Sequence, residues 1–284
     1  MKLCVSSAIN SRLEDGSLLP FVETLEFLKR AGFEEMDLDI TTPMMLENDW
    51  ERSFKTKVEA ALKAGVRIRY AHMPFDYPNK NSGYGWDEFY NATCRAADMA
   101  VYAGADCAAI HPRTVCKTDY SSDEEHEKAK EFLLPYCEYA TRAGLTLALE
   151  NMRGAGKSAS PEIKRYCTQV ADLVRLADEL GTGICWDTGH GNISGQGQLE
   201  ALRLIGKRLK MVHINDNWGE DDIHIAPFLG NVNWTEVARG LKETGYSGSL
   251  NLEVGCNRLP DTLREAYAGY MAGSARKLAD MILM

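Results

Sequence analysis

Six residues of two chemical kinds open the argument: His72, His111, Glu150, Asp187, His213 and Glu253. Each closes a short β-forming run or stands one position inside its end, the runs being 66–72, 106–111, 145–150, 182–187, 209–214 and 249–254. Imidazole and carboxylate together suit zinc, manganese, iron or cobalt, and several carboxylates also admit magnesium. Carboxylates brought side by side repel one another unless they are protonated or bridged by a cation. Convergence of these side chains therefore calls for a divalent metal. Singly, each has an ordinary explanation: a strand-end histidine satisfied by its neighbours, or Asp187 in WDTGH opening a helix. Those explanations do not cover six strand ends of one chemical character. His190 and His224 lie in adjoining loops, so five of the six histidines belong to this set. Only His126, inside SSDEEHEKAK, reads as a solvated helix residue.

The elements that must position these groups alternate along the whole chain. Strands are expected at 2–6 and 34–40 in addition to the six runs above, and helices near 18–31, 49–64, 86–103, 123–143, 164–180, 196–206, 233–244 and 260–282. Glycines in KRAGFEE, LKAGVRI, VYAGADC, TRAGLTL and KETGYSG sit where helix C-caps belong. Strands separated by helices pair in parallel through right-handed crossovers. Eight such units close a barrel, for which about 250 residues are typical. The expectation is a single (β/α)8 domain of the TIM-barrel class over residues 1–284, with the six side chains gathered at the C-terminal mouth of the strands. A Gly-rich dinucleotide fingerprint after the first strand is missing, which argues against a doubly wound sheet.

Thirty-two basic against forty-one acidic residues give a net charge of −9, so no global positive field advertises nucleic acid. The start, MKLCVSSAIN, is too short and polar for a signal-peptide core, and no run of about 18 apolar residues follows. The eight cysteines are scattered without a CxxC pair, which reads as reduced, mostly buried thiols of a cytoplasmic protein. Cys185 and Cys256 lie near site candidates but read as packing residues.

The segments YAHMPF, AIHPR, LALENM, CWDTGHGNISG, MVHINDN, DDIHIAPFLGNVNW and LNLEV together resemble the xylose-isomerase-like barrels, a family of sugar isomerases and epimerases that includes an endonuclease IV branch. The resemblance spans nearly the whole chain. In the epimerase branch it implies one divalent ion (Zn, Mn, Mg or Co) on Glu150, Asp187, His213 and Glu253, with Glu150 and Glu253 doubling as acid and base. In the endonuclease branch it implies three zinc ions on those four together with His72, His111, His190, Asp222 and His224.

All nine residue types are present, so composition of the set does not choose between branches. The loop NWGEDDIH is acidic where phosphate would need Lys or Arg. PFDYPNKNSGYGW is aromatic with one lysine and suits a small polyol, and DTGH stands where the endonuclease branch has DTCH. The primary reading is a metal-dependent isomerase or epimerase of a sugar or sugar phosphate, moving a proton through a metal-stabilised enediolate. His190 and Arg113 are candidates to hold substrate oxygens. Phe75, Trp86 and Trp186 are either substrate walls or packing. The alternatives are a zinc phosphoester hydrolase of abasic DNA, with Arg113, Lys117, Arg153 and Lys157 as phosphate contacts, and a catalytically silent sugar-binding barrel. Membrane association is not expected, and homo-oligomerisation is left open.

Overall fold

The computed structural model describes residues 1–9, 12–156 and 158–284, so the candidate phosphate contact Lys157 lies outside the described residues. The strands are β1 Leu3–Ser6, β2 Glu35–Asp39, β3 Arg67–His72, β4 Cys107–Ile110, β5 Leu147–Glu150, β6 Gly183–Asp187, β7 Leu209–Ile214 and β8 Leu250–Leu252. They pair in parallel in chain order, and β8 returns to β1 with Leu3 opposite Leu250 and Val5 opposite Leu252. This is the closed (β/α)8 barrel that the alternating pattern predicts.

Helices cover the outside because their apolar stripes match the strands' outward side chains. Trp86–Ala103, for example, buries Phe89, Ala92, Thr93, Ala96, Ala97 and Ala100, a three-and-four spacing that defines one helix face. The five expected glycine caps all take left-handed φ, from 69° at Gly65 and Gly245 to 95° at Gly32, and each sends its N–H back to the last turn. Among the described residues no helix is long and apolar enough to cross a membrane.

Several boundaries differ from expectation for identifiable reasons. The helix expected from 18 begins at Phe21, because Pro20 is extended at ψ 138°. The helix expected from 164 begins at Val170. Before it, Tyr166 and Cys167 are drawn into the core, and Cys167 takes φ 62°, which a helix cannot accommodate. Two short helices, Thr42–Leu46 and Thr188–Ile193, were not expected, being too short to show a helical period.

The reading of His126 as solvated is corrected. It is fully buried on the helix Ser122–Ala143, its Nδ1 2.6 Å from the Tyr166 hydroxyl and its Nε2 3.0 Å from a Glu179 carboxylate oxygen. Its flanking charges are misleading, because it shares the inward stripe of Ala129, Leu133, Tyr136 and Ala140.

The barrel lumen is filled by Cys4, Tyr70, Cys107, Ala109, Ala148, Cys185 and Met211. Small residues here leave room for polar groups at both ends. At the N-terminal end Glu35 is fully buried, accepting from Ser249 Oγ and lying 3.4 Å from Lys2 Nζ and 3.9 Å from an Arg69 nitrogen.

Candidate metal centre

Strand geometry carries the polar residues to one mouth. His72, Glu150 and Asp187 end their strands, His213 is the penultimate residue of β7, and His111 and Glu253 stand one residue beyond β4 and β8. Around Glu150 Oε2 lie His72 Nε2 at 3.3 Å, His111 Nε2 at 3.2 Å and His213 Nδ1 at 3.2 Å. Glu253 Oε2 approaches the same His213 Nδ1 to 3.2 Å. Glu150, Asp187, His213 and Glu253 each offer a ligand atom within 4.8 Å of the others, and so do His72, Glu150 and His213. The four positions expected to hold one ion are thus brought together.

Asp187 does two jobs. Its Oδ1 caps the short helix Thr188–Ile193 by accepting from His190 N at 2.6 Å, as the helix-opening alternative requires. Its Oδ2 accepts from Asn215 Nδ2 at 2.7 Å, which fixes the carboxylate towards the mouth. The glycine of DTGH has a local cause. A Cβ on Gly189 would overlap Asn215 Oδ1 and stand 2.8 Å from Asn217 Nδ2, so the asparagine that orients Asp187 excludes a side chain there.

A second group, His190, Asp222 and His224, adjoins the first. His190 Nε2 is 3.3 Å and His224 Nε2 3.0 Å from the Asp222 carboxylate. The loop that carries Asp222 and His224 is tied down by Asp216, whose carboxylate accepts from the backbone N–H groups of Asn217, Phe228, Gly230 and Val232 and from Trp234 Nε1. This explains the glycine and the tryptophan of APFLGNVNW: Gly230 passes so close to Asp216 and Asn217 that a Cβ would overlap both, and Trp234 is a hydrogen-bond donor as well as an apolar anchor.

Electrostatics follow from this packing. Burial alone would raise Glu150 and Glu253, but the neighbouring imidazoles outweigh it, chiefly His213. Glu150 is held well below the usual carboxylate range and Glu253 at about 2. Burial drives Asp187 up to about 6. For His72 burial is outweighed by Glu150, which lifts it to about 9, and for His224 by Glu253 and Asp222, which lift it to about 10. His111 is lowered by burial.

The donor set fits a divalent ion on a structural test. Glu150 Oε2, Glu253 Oε2 and both ring nitrogens of His213 are buried and make no hydrogen bond. Leaving such atoms unsatisfied costs about 1–3 kcal/mol each. Glu150 Oε2, Glu253 Oε2 and His213 Nδ1 converge from three strands as lone-pair donors that one cation can satisfy together, while His213 Nε2 faces Asp37.

Not every expected site residue joins the cluster. Arg113 has φ 39° and lays its guanidinium 4.3 Å from the Trp86 ring centroid, flanked by Tyr77 and Phe132. Trp86 is thus partly a platform for Arg113, and Trp186 is fully buried with its Nε1 donating to Gln198. Phe75, 49% exposed, stands edge-on to His72 at the mouth. Cys185 and Cys256 are buried, and burial raises both thiols, Cys256 to about 12. Arg153 Nε reaches Asp222 at 3.5 Å, whereas Lys117 pairs with Glu125 at 2.5 Å.

Three residues of the site were missed. Asp37, inside β2, stands 3.4 Å from His213 Nε2 on the side away from Glu253. Asp39 and Ser6 end β2 and β1, completing the ring of polar strand ends, and Ser6 Oγ donates to Asp39 at 2.7 Å. The alternation in EEMDLDI carried the signal, since the ends of the first two strands follow the same rule as the other six.

Comparison with known proteins agrees with this picture. The family described as xylose isomerase-like TIM barrel matches residues 15–273. D-psicose 3-epimerase of Enterocloster bolteae is 31% identical over 94 residues, 32% of this chain and 29% of its own. Inosose dehydratase of Serratia proteamaculans is 26% identical over 155 residues, 48% and 49% of the two chains. The chain spans less than half the length of the curated relatives it matches. Among solved structures, a D-psicose 3-epimerase in the presence of D-fructose superposes with TM-score 0.73 at 14% identity over 98% of this chain and 99% of that one. The IOLI protein with a bound zinc atom superposes with TM-score 0.71 at 17% identity over 99% and 98%. At these identities the likeness is one of fold.

Proposed function

Because the chain belongs to the xylose isomerase-like TIM barrel family, we propose that it is a divalent-metal-dependent isomerase or epimerase of a sugar. Glu150, Asp187, His213 and Glu253 would hold the ion, and the observation that carries the reading is the convergence of the unsatisfied atoms Glu150 Oε2, His213 Nδ1 and Glu253 Oε2. A divalent ion bound there would supply Lewis-acid stabilisation of negative charge on adjacent substrate oxygens.

The two glutamates are not equivalent. Glu150 is ringed by His72, His111, His190 and His213, all within 3.3 Å of its oxygens, and is spoken for. Glu253 has His213 at 3.2 Å and His224 at 3.7 Å, and it lines an open cavity of about 400 Å³ beside the centre. Glu253 is therefore the group that meets a carbon-bound proton of a substrate in that cavity, and Glu150 serves the opposite face. His190, with Nδ1 2.8 Å from the Asn151 carbonyl and Nε2 facing Asp222, is placed to donate to a substrate oxygen once Asp222 is otherwise engaged.

Incubation with ketoses in heavy water tests the chemistry. Deuterium should appear beside the carbonyl of the true substrate, and Glu253→Gln should suppress that label by roughly 10²–10⁴-fold, the usual span for losing a general base. Metal content is measured alongside, since the same carboxylate is a proposed ligand. Turnover without label would remove the glutamate-base mechanism and leave the isomerase assignment.

One observation favours a second reading. His190, Asp222 and His224 form a complete further ligand group next to the first, as a multinuclear zinc hydrolase of abasic DNA requires. Metal equivalents per chain separate the two: one supports the isomerase, three the hydrolase. The net charge of −9 weighs against DNA.

A further inference from the structure

We propose that Asp39 is a specificity-determining residue, accepting hydrogen bonds from hydroxyl groups of the part of the substrate that lies away from the metal centre and turning a phosphate ester away from that place. The proposal rests on the isomerase reading only in placing the reacting carbon beside Glu253.

The position of Asp39 is set by the barrel. It ends β2 opposite His72, and Ile40 N donates to the His72 carbonyl, so its side chain enters the mouth with those of the other strand ends. Its orientation is set from β1. Ser6 Oγ donates to Asp39 Oδ2 at 2.7 Å and Ser7 Oγ lies 3.4 Å from the same oxygen, while Asp39 N donates to Ser7 Oγ at 3.0 Å. With Oδ2 taken, Oδ1 is the atom left to meet a ligand.

What it faces is the cavity of about 400 Å³ that shares Glu253 and His224 with the metal centre. Thr41 and Asn257 add polar groups to its wall, and half-exposed Phe75 adds a flat apolar face. No lysine or arginine is among its described lining residues, and no ion pair of Asp39 occurs among the described residues. A separate cavity of about 630 Å³ contains none of the proposed ligands, whereas the chamber at Asp39 shares Glu253 and His224 with the centre.

Burial and the neighbouring Asp37 raise the Asp39 carboxyl to about 6 and His72 offsets only part of that, so holding it ionised in this recess is costly. Hydroxyl donors of a ligand offset that cost, because an ionised carboxylate is purely an acceptor with room for two partners. A phosphate offers the opposite: more negative charge beside Asp39 and Glu253, where the cationic group of the wall, His224, is already engaged by Asp222 and Glu253. An apolar wall facing a few fixed acceptors is the usual construction of a small-ligand site.

Binding can be read apart from turnover with a set of hexitols and their 6-phosphates as probes, since they have no carbonyl to isomerise. Saturation-transfer NMR titration of the metal-loaded protein should show at least one hexitol binding, and its 6-phosphate binding at least about 10-fold more weakly. Asp39→Ala should lose roughly 10–100-fold in hexitol affinity, the worth of hydrogen bonds to a charged acceptor, with metal equivalents unchanged. Asp39→Asn, which keeps an acceptor oxygen and the Ser6 contact, should retain part of the affinity and narrow the gap between hexitol and phosphate.

Equal affinities in wild type and Asp39→Ala, tighter binding of a 6-phosphate, or no hexitol binding at all would each overturn the proposal. Turnover of a sugar phosphate in preference to the free sugar would overturn it while leaving the isomerase standing. Asp39-dependent hexitol binding in a protein that turns over no sugar would support it and remove the isomerase reading.

Discussion

At the N-terminal end of the strands Glu35 is buried as deeply as Glu150 is at the C-terminal end, yet the two carboxylates have different company. Glu35 takes a hydroxyl from Ser249 and sits beside Lys2 and Arg69, and Arg69 pairs onward with Asp106 at 2.9 Å. Its partners are an ammonium and a guanidinium, so the base of the barrel is balanced by its own chain. Glu150 is surrounded by imidazoles, which both titrate and ligate. Around it Glu253, Asp187 and Asp222 add three more carboxylates, and among the described residues Arg153 forms its ion pair with Asp222. Glu35 Oε1 also lacks a hydrogen bond, but an ammonium and a guanidinium of the chain face it, whereas the unsatisfied oxygens of Glu150 and Glu253 face the ring nitrogen of His213; that difference in partners separates the two ends of the lumen.

Substitution should break the two ends differently. His213→Ala removes the residue whose Nδ1 is shared by Glu150 and Glu253, and it should abolish stoichiometric metal binding, a loss well beyond the roughly 10–100-fold given by an outer partner. Glu35→Gln, at the base, should leave metal equivalents unchanged and register only as a change in stability. Metal analysis with thermal melting checks both, and full occupancy in His213→Ala would remove the proposed ligand set.

A third place sharpens the contrast, since a histidine can also be purely structural. His126 is buried between Tyr166 and Glu179, far along the chain from any strand end. Its replacement by Ala leaves the Tyr166 hydroxyl with only the Asp172 carbonyl at 3.3 Å and opens a cavity, at a cost of about 2 kcal/mol. Melting should fall by roughly 4–8 °C at 2–4 °C per kcal/mol for a chain of this size, with metal content intact. An unchanged melting temperature would restore the solvated reading of this residue.

The contrast also shows what could be read from sequence and what could not. Period-two runs ending in His, Glu or Asp located six strand ends, because one-dimensional pattern and barrel closure say the same thing about them. Asp39 fits that pattern but was passed over, since EEMDLDI offers four acidic residues and only the pleat tells lumen from surface. His126 was misread for the opposite reason: charges on both sides hide a residue whose helical neighbours at three and four positions are apolar. Arg113 could not be placed at all, because its backbone turns at φ 39° and its side chain stacks on Trp86. Spacing carries no information about such a turn.

The smallest expected effect is a difference in slope. In the metal-free protein His72 stands at about 9 and His224 at about 10, each raised by carboxylates that outweigh burial, against about 6.5 for an unfolded histidine. A group that binds its proton more tightly when folded adds stability that is full below pH 6.5. That stability drains as pH rises through the folded value. Glu253, held at about 2, contributes equally across this window, because its gain is lost only as pH falls through that value. Asp187, raised to about 6, has given up its own contribution by the time the window opens. Metal-free protein should therefore melt several degrees lower at pH 9.5 than at pH 6.5. An ion at the mouth replaces those protons as the partner of the carboxylates and needs His213 neutral, so the metal-loaded protein should lose less over the same range, while the buried thiols, also raised by burial, drain stability in both forms. Parallel profiles with and without metal would mean that the mouth is balanced by protons alone, as the base is by lysine and arginine, and the distinction between the two ends would fail.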